Sequence, residues 1–205
     1  MSDLDLDAYC QLMQEIKRRT SVVNLILAEP GRLMFKATAV ESMCLQVRKI
    51  LELIAMGSLV ANEEALSRAR CGLGKLWSGQ QILRRVHGVN PDFYPRPIVE
   101  LPGSGAIKSH WENKPDGFLT EAQFAEAYAR CHAVLHAENP LGRTLDYSAY
   151  ERDVPLWIAS IIGLLNSHTI RLAGNPNLYL IHMQEAETEQ VRGYVFEQVG
   201  SLPTD

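Results

Sequence analysis

The chain has 205 residues, and its formal net charge is −4 at pH 7. This length can bury a sizeable core, and the absence of low-complexity segments argues against disorder along the whole chain. The weakly acidic balance gives no overall attraction to nucleic acid or to an anionic membrane, although it leaves room for a local basic face.

Two features bear on the compartment. Residues 1–9 are acidic where a signal peptide would be basic, and the longest unbroken apolar run, residues 53–61, is far too short to cross a membrane. We therefore expect a cytoplasmic location and no membrane association. The cysteines form no CxxC pair, so we expect them to be reduced; they are Cys10, Cys44, Cys71 and Cys131.

The first two predicted helices form an antiparallel hairpin. The first begins at Asp5 or Asp7 and ends before Pro30, because apolar residues recur every three or four positions between these limits. The second, residues 39–61, is the most apolar stretch with helical periodicity. We predict that it is the central helix, around which the rest of the chain packs.

Three further helical stretches follow. The pattern predicts a third stretch over residues 62–86, with a break at the glycines near its middle. A fourth begins after the N-cap Thr120 and ends near residue 138. A fifth covers residues 147–166, and Pro155 inside it predicts either two short helices or one kinked helix.

Residues 87–117 lack helical periodicity and are rich in proline and glycine, which predicts a long irregular loop that acts as a lid or a partner-binding arm. Residues 168–199 are rich in β-forming side chains and predict a small antiparallel meander packed on the helices, with an edge open to a second subunit. The predicted fold is mainly α: an antiparallel bundle of about five helices over residues 1–167, followed by the meander. We expect a homodimer.

One pair of residues on the fourth helix suggests chemistry. Arg130 is followed by His136 near the end of that helix. An arginine and a histidine at this spacing resemble the Arg-x(4–6)-His motif of the HEPN family. Its members are all-helical, usually dimeric domains, many of them metal-independent ribonucleases in toxin–antitoxin and phage-defence systems. The resemblance covers this motif and the general helical layout.

The resemblance implies that Arg130 steadies the phosphate and that His136 acts as acid or base in the reaction of the RNA 2′-hydroxyl, with Asn139 and Arg143 assisting. A guanidinium binds phosphate through a fork of donors, and an imidazole titrates near neutral pH. Six residues along a helix place two side chains about 120° apart. The pair therefore converges only if the helix ends near His136 or a second subunit completes the site.

The same residues also have structural explanations. Glu126 lies four positions before Arg130, the favourable orientation for a helical ion pair, and His136 could cap the C-terminus of the helix. On the central helix, Arg48 and Glu52 are four positions apart. They either form a simple salt bridge or line a polar pocket in which Glu52 orients Arg130 or His136 without contacting the substrate itself.

A metal site is a weaker alternative. His132 and His136 lie on one face of the predicted helix and could share a metal ion. A third ligand would have to come from elsewhere in the chain: His110, His168, His182 or a carboxylate such as Glu52. No HExxH motif or cysteine pair accompanies them, so we expect no cofactor.

Two classes of function remain open. We expect an interaction or regulatory module of bacterial or phage origin, which binds a protein partner through residues 87–117 or through the edge of the sheet. The alternative is a HEPN-like, metal-independent ribonuclease, and only this alternative implies RNA as a partner.

Overall fold

The computed structural model describes residues 4–68, 78–103, 109–137, 144–185 and 188–197. Within these ranges the chain forms six α-helices and one five-stranded antiparallel sheet, with 59% of residues in helices and 15% in strands. The fold is therefore mixed α/β, and the predicted mainly-α bundle with a small meander is wrong.

Three of the helices begin at a side-chain N-cap that the sequence places there. The carboxylates of Asp5 and Asp146 each accept a hydrogen bond from the backbone N–H of the residue three positions later. Thr120 forms a reciprocal capping box with Gln123. Pro155 lies inside one continuous helix. The helices are α1 (Leu6–Ala28), α2 (Lys36–Ala61), α3 (Glu63–Arg68), α4 (Gly79–His87), α5 (Glu121–Val134) and α6 (Tyr147–Leu165).

The predicted central helix is confirmed as α2, which packs against α1, α4, α5 and α6. At its crossing with α1, a Cβ on Gly57 would lie 2.9 Å from the ring of Tyr9, so the absence of a side chain permits the close approach. The predicted third stretch appears as α3 and α4, and its glycine break lies outside the described residues. Of the helices described, none is both long enough and apolar enough to span a membrane.

The five strands are β1 (Arg96–Pro102), β2 (Ser109–Asn113), β3 (Ser167–Arg171), β4 (Leu178–His182) and β5 (Arg192–Phe196), in the order β2-β1-β3-β4-β5. The three strands predicted at the C-terminal end are confirmed as β3, β4 and β5. The sequence missed β1 and β2, which lie inside the segment predicted to be an irregular loop. Pro97 and Pro102 obscured β1, because proline cannot donate to a strand ladder.

The β1–β2 hairpin diverges from the rest of the sheet. β1 pairs with β3 only at Arg96 and Pro97, although it pairs with β2 over five positions. The rings of Trp111 on β2 and Phe196 on β5 are 5.2 Å apart between centroids, so the sheet curls until its two edge strands approach each other. Tyr179 and Ile181 of β4 face the hydrophobic core, and Leu180 between them points to the opposite face of the sheet. Leu180 is buried there as well.

A buried hydrogen bond joins α1 to the sheet. Nδ1 of His168 donates to the carbonyl of Leu165 at 2.7 Å, which leaves Nε2 to accept the hydroxyl of Tyr9 at 3.0 Å. His168 is fully enclosed, and this burial is the main cause that lowers its pKa to about 4. The imidazole is therefore neutral at pH 7.

We predict that the free energy of unfolding falls as the pH is lowered from about 6.5 to about 4. In this window the unfolded chain protonates His168, whose ordinary pKa is 6.5, while the folded protein keeps it neutral, so protons favour the unfolded state. Urea unfolding at several pH values should show the fall, and His168→Gln should reduce its slope. Replacing the exposed His110 by Gln is the matched control. Equal slopes in all three proteins would contradict the prediction.

Candidate functional site

Glu52 on α2 lies at the centre of a cluster between α2 and α5. Its side chain is only 11% exposed, and its carboxylate accepts from Arg48 Nε at 3.1 Å, from Lys49 Nζ at 3.3 Å and from the Tyr128 hydroxyl at 3.2 Å. A buried carboxylate requires such donors. The predicted pairing of Arg48 with Glu52 is present, and Tyr128 extends it to α5.

The cluster continues from Glu52 to the protein surface. Arg48 Nη1 lies 3.2 Å from His132 Nδ1, and Nε2 of His132 lies 3.2 Å from Nε2 of His136. The two rings are nearly perpendicular, with centroids 4.7 Å apart. α5 ends at Val134, so His136 follows the helix and folds back toward His132. Both histidines are exposed.

The donors in this chain of hydrogen bonds fix the tautomers. A guanidinium only donates, so Nδ1 of His132 accepts from Arg48 and its ring proton lies on Nε2. That Nε2–H donates to Nε2 of His136, which leaves the ring proton of His136 on Nδ1. Nε2 of His136 is therefore the acceptor at the end of the chain, and adding a proton there would break the bond between the rings.

The charge of Arg48 is secured by its neighbours. Partial burial alone would lower its pKa, but Tyr128 and Glu52 more than offset this effect, and the pKa is raised above its ordinary value. The ring of Tyr128 also lies under the guanidinium, 5.6 Å from Cζ to the centroid. The sequence interpretation missed Tyr128, although it lies four residues before His132 and therefore on the same face of α5.

Arg130 lies in a different environment. Its Nη2 is 2.5 Å from Oδ2 of Asp153 on α6, and its guanidinium lies against the rings of Tyr150 and Trp157 at 5.1 Å and 4.9 Å. Partial burial lowers the pKa of Arg130, but the hydrogen bond to Asp153 and its charge raise it above the ordinary value. The ion-pair partner is thus Asp153 rather than Glu126, the partner suggested by the sequence.

The predicted site residues therefore divide between two sides of α5. Arg48, Glu52, His132 and His136 come together on the side that faces α2, whereas Arg130 contacts α6. One turn of helix cannot direct both groups to one surface, because Arg130 and His132 are about 200° apart around the axis. Asn139 and Arg143, the two suggested assisting residues, lie outside the described residues.

The chemistry of the histidine pair suits an anion better than a metal ion. Its Nε2 atoms are close enough to ligate one ion, but Arg48 holds the proton of His132 on the nitrogen that would have to bind. The positive charges of Arg48 and Lys49 oppose a cation in addition. Across the described ranges, no group of three or more His, Cys, Asp or Glu side chains could hold a metal ion.

The remaining sequence-predicted residues lie elsewhere. His168 is bound to Tyr9, His182 on β4 lies 2.8 Å from a carboxylate oxygen of Glu100 on β1, and His110 is on β2. Cys44 and Cys131 are buried, as the helical patterns predict, and Cys10 is half-buried; Cys71 lies outside the described residues.

Comparison with known proteins does not assign the chain to a family. No protein-family model, curated protein or solved structure matches the chain. The resemblance of Arg130 and His136 to the HEPN motif stays a prediction from the sequence.

Proposed function

We propose that the protein is a metal-independent ribonuclease whose site is the exposed cluster of Arg48, His132 and His136. The observation that supports this function is the unbroken chain of hydrogen bonds from the buried Glu52 to the histidine pair. A buried carboxylate that holds an arginine, which in turn orients an imidazole, is an arrangement that preorganises a site. A purely structural tie between α2 and α5 needs only Glu52 and Tyr128, and no exposed imidazole pair.

In this proposal Arg48 takes the role that the sequence resemblance gave to Arg130. A guanidinium has five N–H donors, and the contacts with Glu52 and His132 occupy only two of its nitrogens, so donors remain for a phosphate. Lys49, whose side chain is half exposed, adds a second positive charge beside it. A phosphodiester would be attracted to this surface and held next to the histidine pair.

The proposed reaction is a transesterification within the RNA. When the substrate binds, the 2′-hydroxyl replaces His132 as the donor to Nε2 of His136, and that nitrogen takes its proton. The 2′-oxygen forms a bond to phosphorus, the bond from phosphorus to the 5′-oxygen breaks, and the departing oxygen takes a proton from water. The products are a 2′,3′-cyclic phosphate and a 5′-hydroxyl. A cytoplasmic location is part of the same proposal, since RNA is present there.

We predict that the purified protein degrades a mixed RNA pool in the presence of EDTA. His136→Ala should reduce the rate by about 100-fold or more, since a positioned base typically contributes at least that much. Arg48→Ala should reduce it by about 100-fold as well, since this is the usual loss when a preorganised donor to developing charge is removed. Arg130→Ala should keep the cleavage after correction for its folded fraction, and Arg152→Ala, which changes an exposed arginine on α6, is the matched control. DNA of the same sequences should resist, because it has no 2′-hydroxyl.

Two outcomes would contradict this assignment. Equal background degradation by all the folded variants would exclude the ribonuclease. Loss of cleavage in Arg130→Ala but not in Arg48→Ala would return the phosphate contact to Arg130.

A second candidate is the interaction or regulatory module, here as a homodimer. Met34 has φ 67° and ψ −50°, and Phe35 N–H donates to the carbonyl of Leu33 at 2.8 Å, which defines a strained γ-turn. The turn leaves Met34 91% and Phe35 61% exposed. Two adjacent large apolar side chains that a strained turn holds in solvent are the observation that favours an interaction surface here. Residues 87–117 were the segment predicted to bind a partner. Their Trp111 instead packs its ring against that of Phe196 on β5.

For this candidate we expect sedimentation velocity to show a concentration-dependent dimer. Replacing both Met34 and Phe35 by Ser should shift the protein to monomer, because the apolar surface that drives association is removed. Leu156→Ser, at a residue that is 64% exposed on α6, should leave the dimer intact. A wild-type protein that stays monomeric at all concentrations would exclude this candidate.

A further inference from the structure

The last turn of α4 carries three exposed basic side chains, Arg84, Arg85 and His87. In the part of the chain that the structure describes, no carboxylate forms an ion pair with either arginine. Positive side chains at a helix C-terminus gain some stability from the free carbonyls there, but two adjacent arginines without an ion-pair partner also repel each other. This surface is therefore suited to an external anion.

A groove of about 290 Å³ lies between this turn and α5. Arg84 and His87 line one wall, and Glu121 and Phe124 line the other. Further along, Gln80 donates to the carbonyl of Ala125 at 3.3 Å, so α4 and α5 run antiparallel past each other. Glu121 is the single carboxylate among the lining residues, and the neighbouring basic groups outnumber it.

α5 connects this groove to the histidine cluster. Glu121, Ala125, Ala129 and His132 recur at four, four and three positions, so they share one face of the helix, and all of them except the half-buried Ala125 are exposed. Glu121 lines the groove with Arg84, and the eleven residue steps from Glu121 to His132 cover about 16 Å along the axis. His136 follows His132 by four residues and lies just past the end of α5. A few nucleotides of an extended single strand can therefore reach from the basic turn of α4 to the cluster.

We infer that the last turn of α4 binds the phosphate backbone of single-stranded RNA and guides it along α5 to the histidine cluster. This inference rests on the proposed ribonuclease function. Arg84 and Arg85 act as positioning residues, because they contact phosphates several nucleotides from the reacting atoms. Such contacts raise affinity without reading sequence, and they make binding dependent on salt.

The test measures binding separately from cleavage. A fluorescent 2′-O-methyl oligoribonucleotide of about 12 nucleotides, long enough to span a single-strand site, cannot be cleaved and reports affinity by anisotropy. Replacing both Arg84 and Arg85 by Ala should weaken binding several-fold. The slope of log K against log salt should also become shallower by about 1.4, since each phosphate contact on a single strand contributes about 0.7.

The matched control removes the same charge from other exposed positions. Arg18→Ala combined with Arg152→Ala should keep both the affinity and the salt slope of the wild type. Equal weakening by the two double variants would overturn the inference, because it would show a dependence on net charge rather than on α4.

Cleavage of a dinucleotide separates this inference from the function on which it rests. A dinucleotide is too short to reach α4 from the histidine cluster, so the Arg84 and Arg85 double variant should cleave it at the wild-type rate, whereas His136→Ala should not cleave it. If cleavage depends on His136 but oligonucleotide binding ignores Arg84 and Arg85, the inference alone fails. If binding depends on these arginines and no protein cleaves RNA, the ribonuclease fails and the binding surface stands.

Discussion

A carboxylate enclosed within the central helix must be matched by donors, and the arrangement around Glu52 follows from this requirement. Arg48 and Lys49 reach it from the preceding turn of α2, and Tyr128 reaches it from α5. These contacts restrict how α5 can rotate against α2. They also hold Arg48 in one orientation, with Nη1 directed at His132. The exposed cluster thus depends on a buried charge.

The opposite side of α5 is held just as firmly. Arg130 is paired with Asp153 and lies against two aromatic rings of α6, so it contributes to packing between α5 and α6. Its ion pair is partly exposed, and its value to stability comes from the ring contacts as well as from the charge. α5 and the residues just after it therefore carry a structural arginine on one side and the candidate histidine pair on the other. The two residues that are close in the sequence motif have different neighbours in space.

Local features of the fold were predictable, and contacts between distant segments were not. The start of α5 follows from the capping chemistry of Thr120, which depends on residues three positions away. β3 to β5 follow from their β-branched and aromatic side chains. β1 was missed because its prolines are unfavourable in a ladder, and it tolerates Pro97 by using the carbonyl, which accepts from Lys114 N–H.

The site shows the same limit. The pairing of Arg48 with Glu52 could be proposed from their spacing of four residues on a helix. The contact between Arg48 and His132 joins positions 84 residues apart, and the partner of Arg130 lies 23 residues away on another helix. No local pattern specifies either contact. The prediction from the sequence therefore gave the phosphate contact to Arg130 and only a supporting role to Arg48.

The most direct test is a measurement of the imidazole nitrogens by ¹⁵N NMR, with and without a 2′-O-methyl oligoribonucleotide. The hydrogen-bond chain from Glu52 predicts that, in the neutral rings, the proton of His132 is on Nε2 and that of His136 on Nδ1. Addition of the oligonucleotide should shift the ring nitrogens of both histidines and leave those of the buried His168 unchanged. A proton on Nδ1 of His132, or no response of either exposed ring to the oligonucleotide, would contradict the assignment of this cluster as the RNA site.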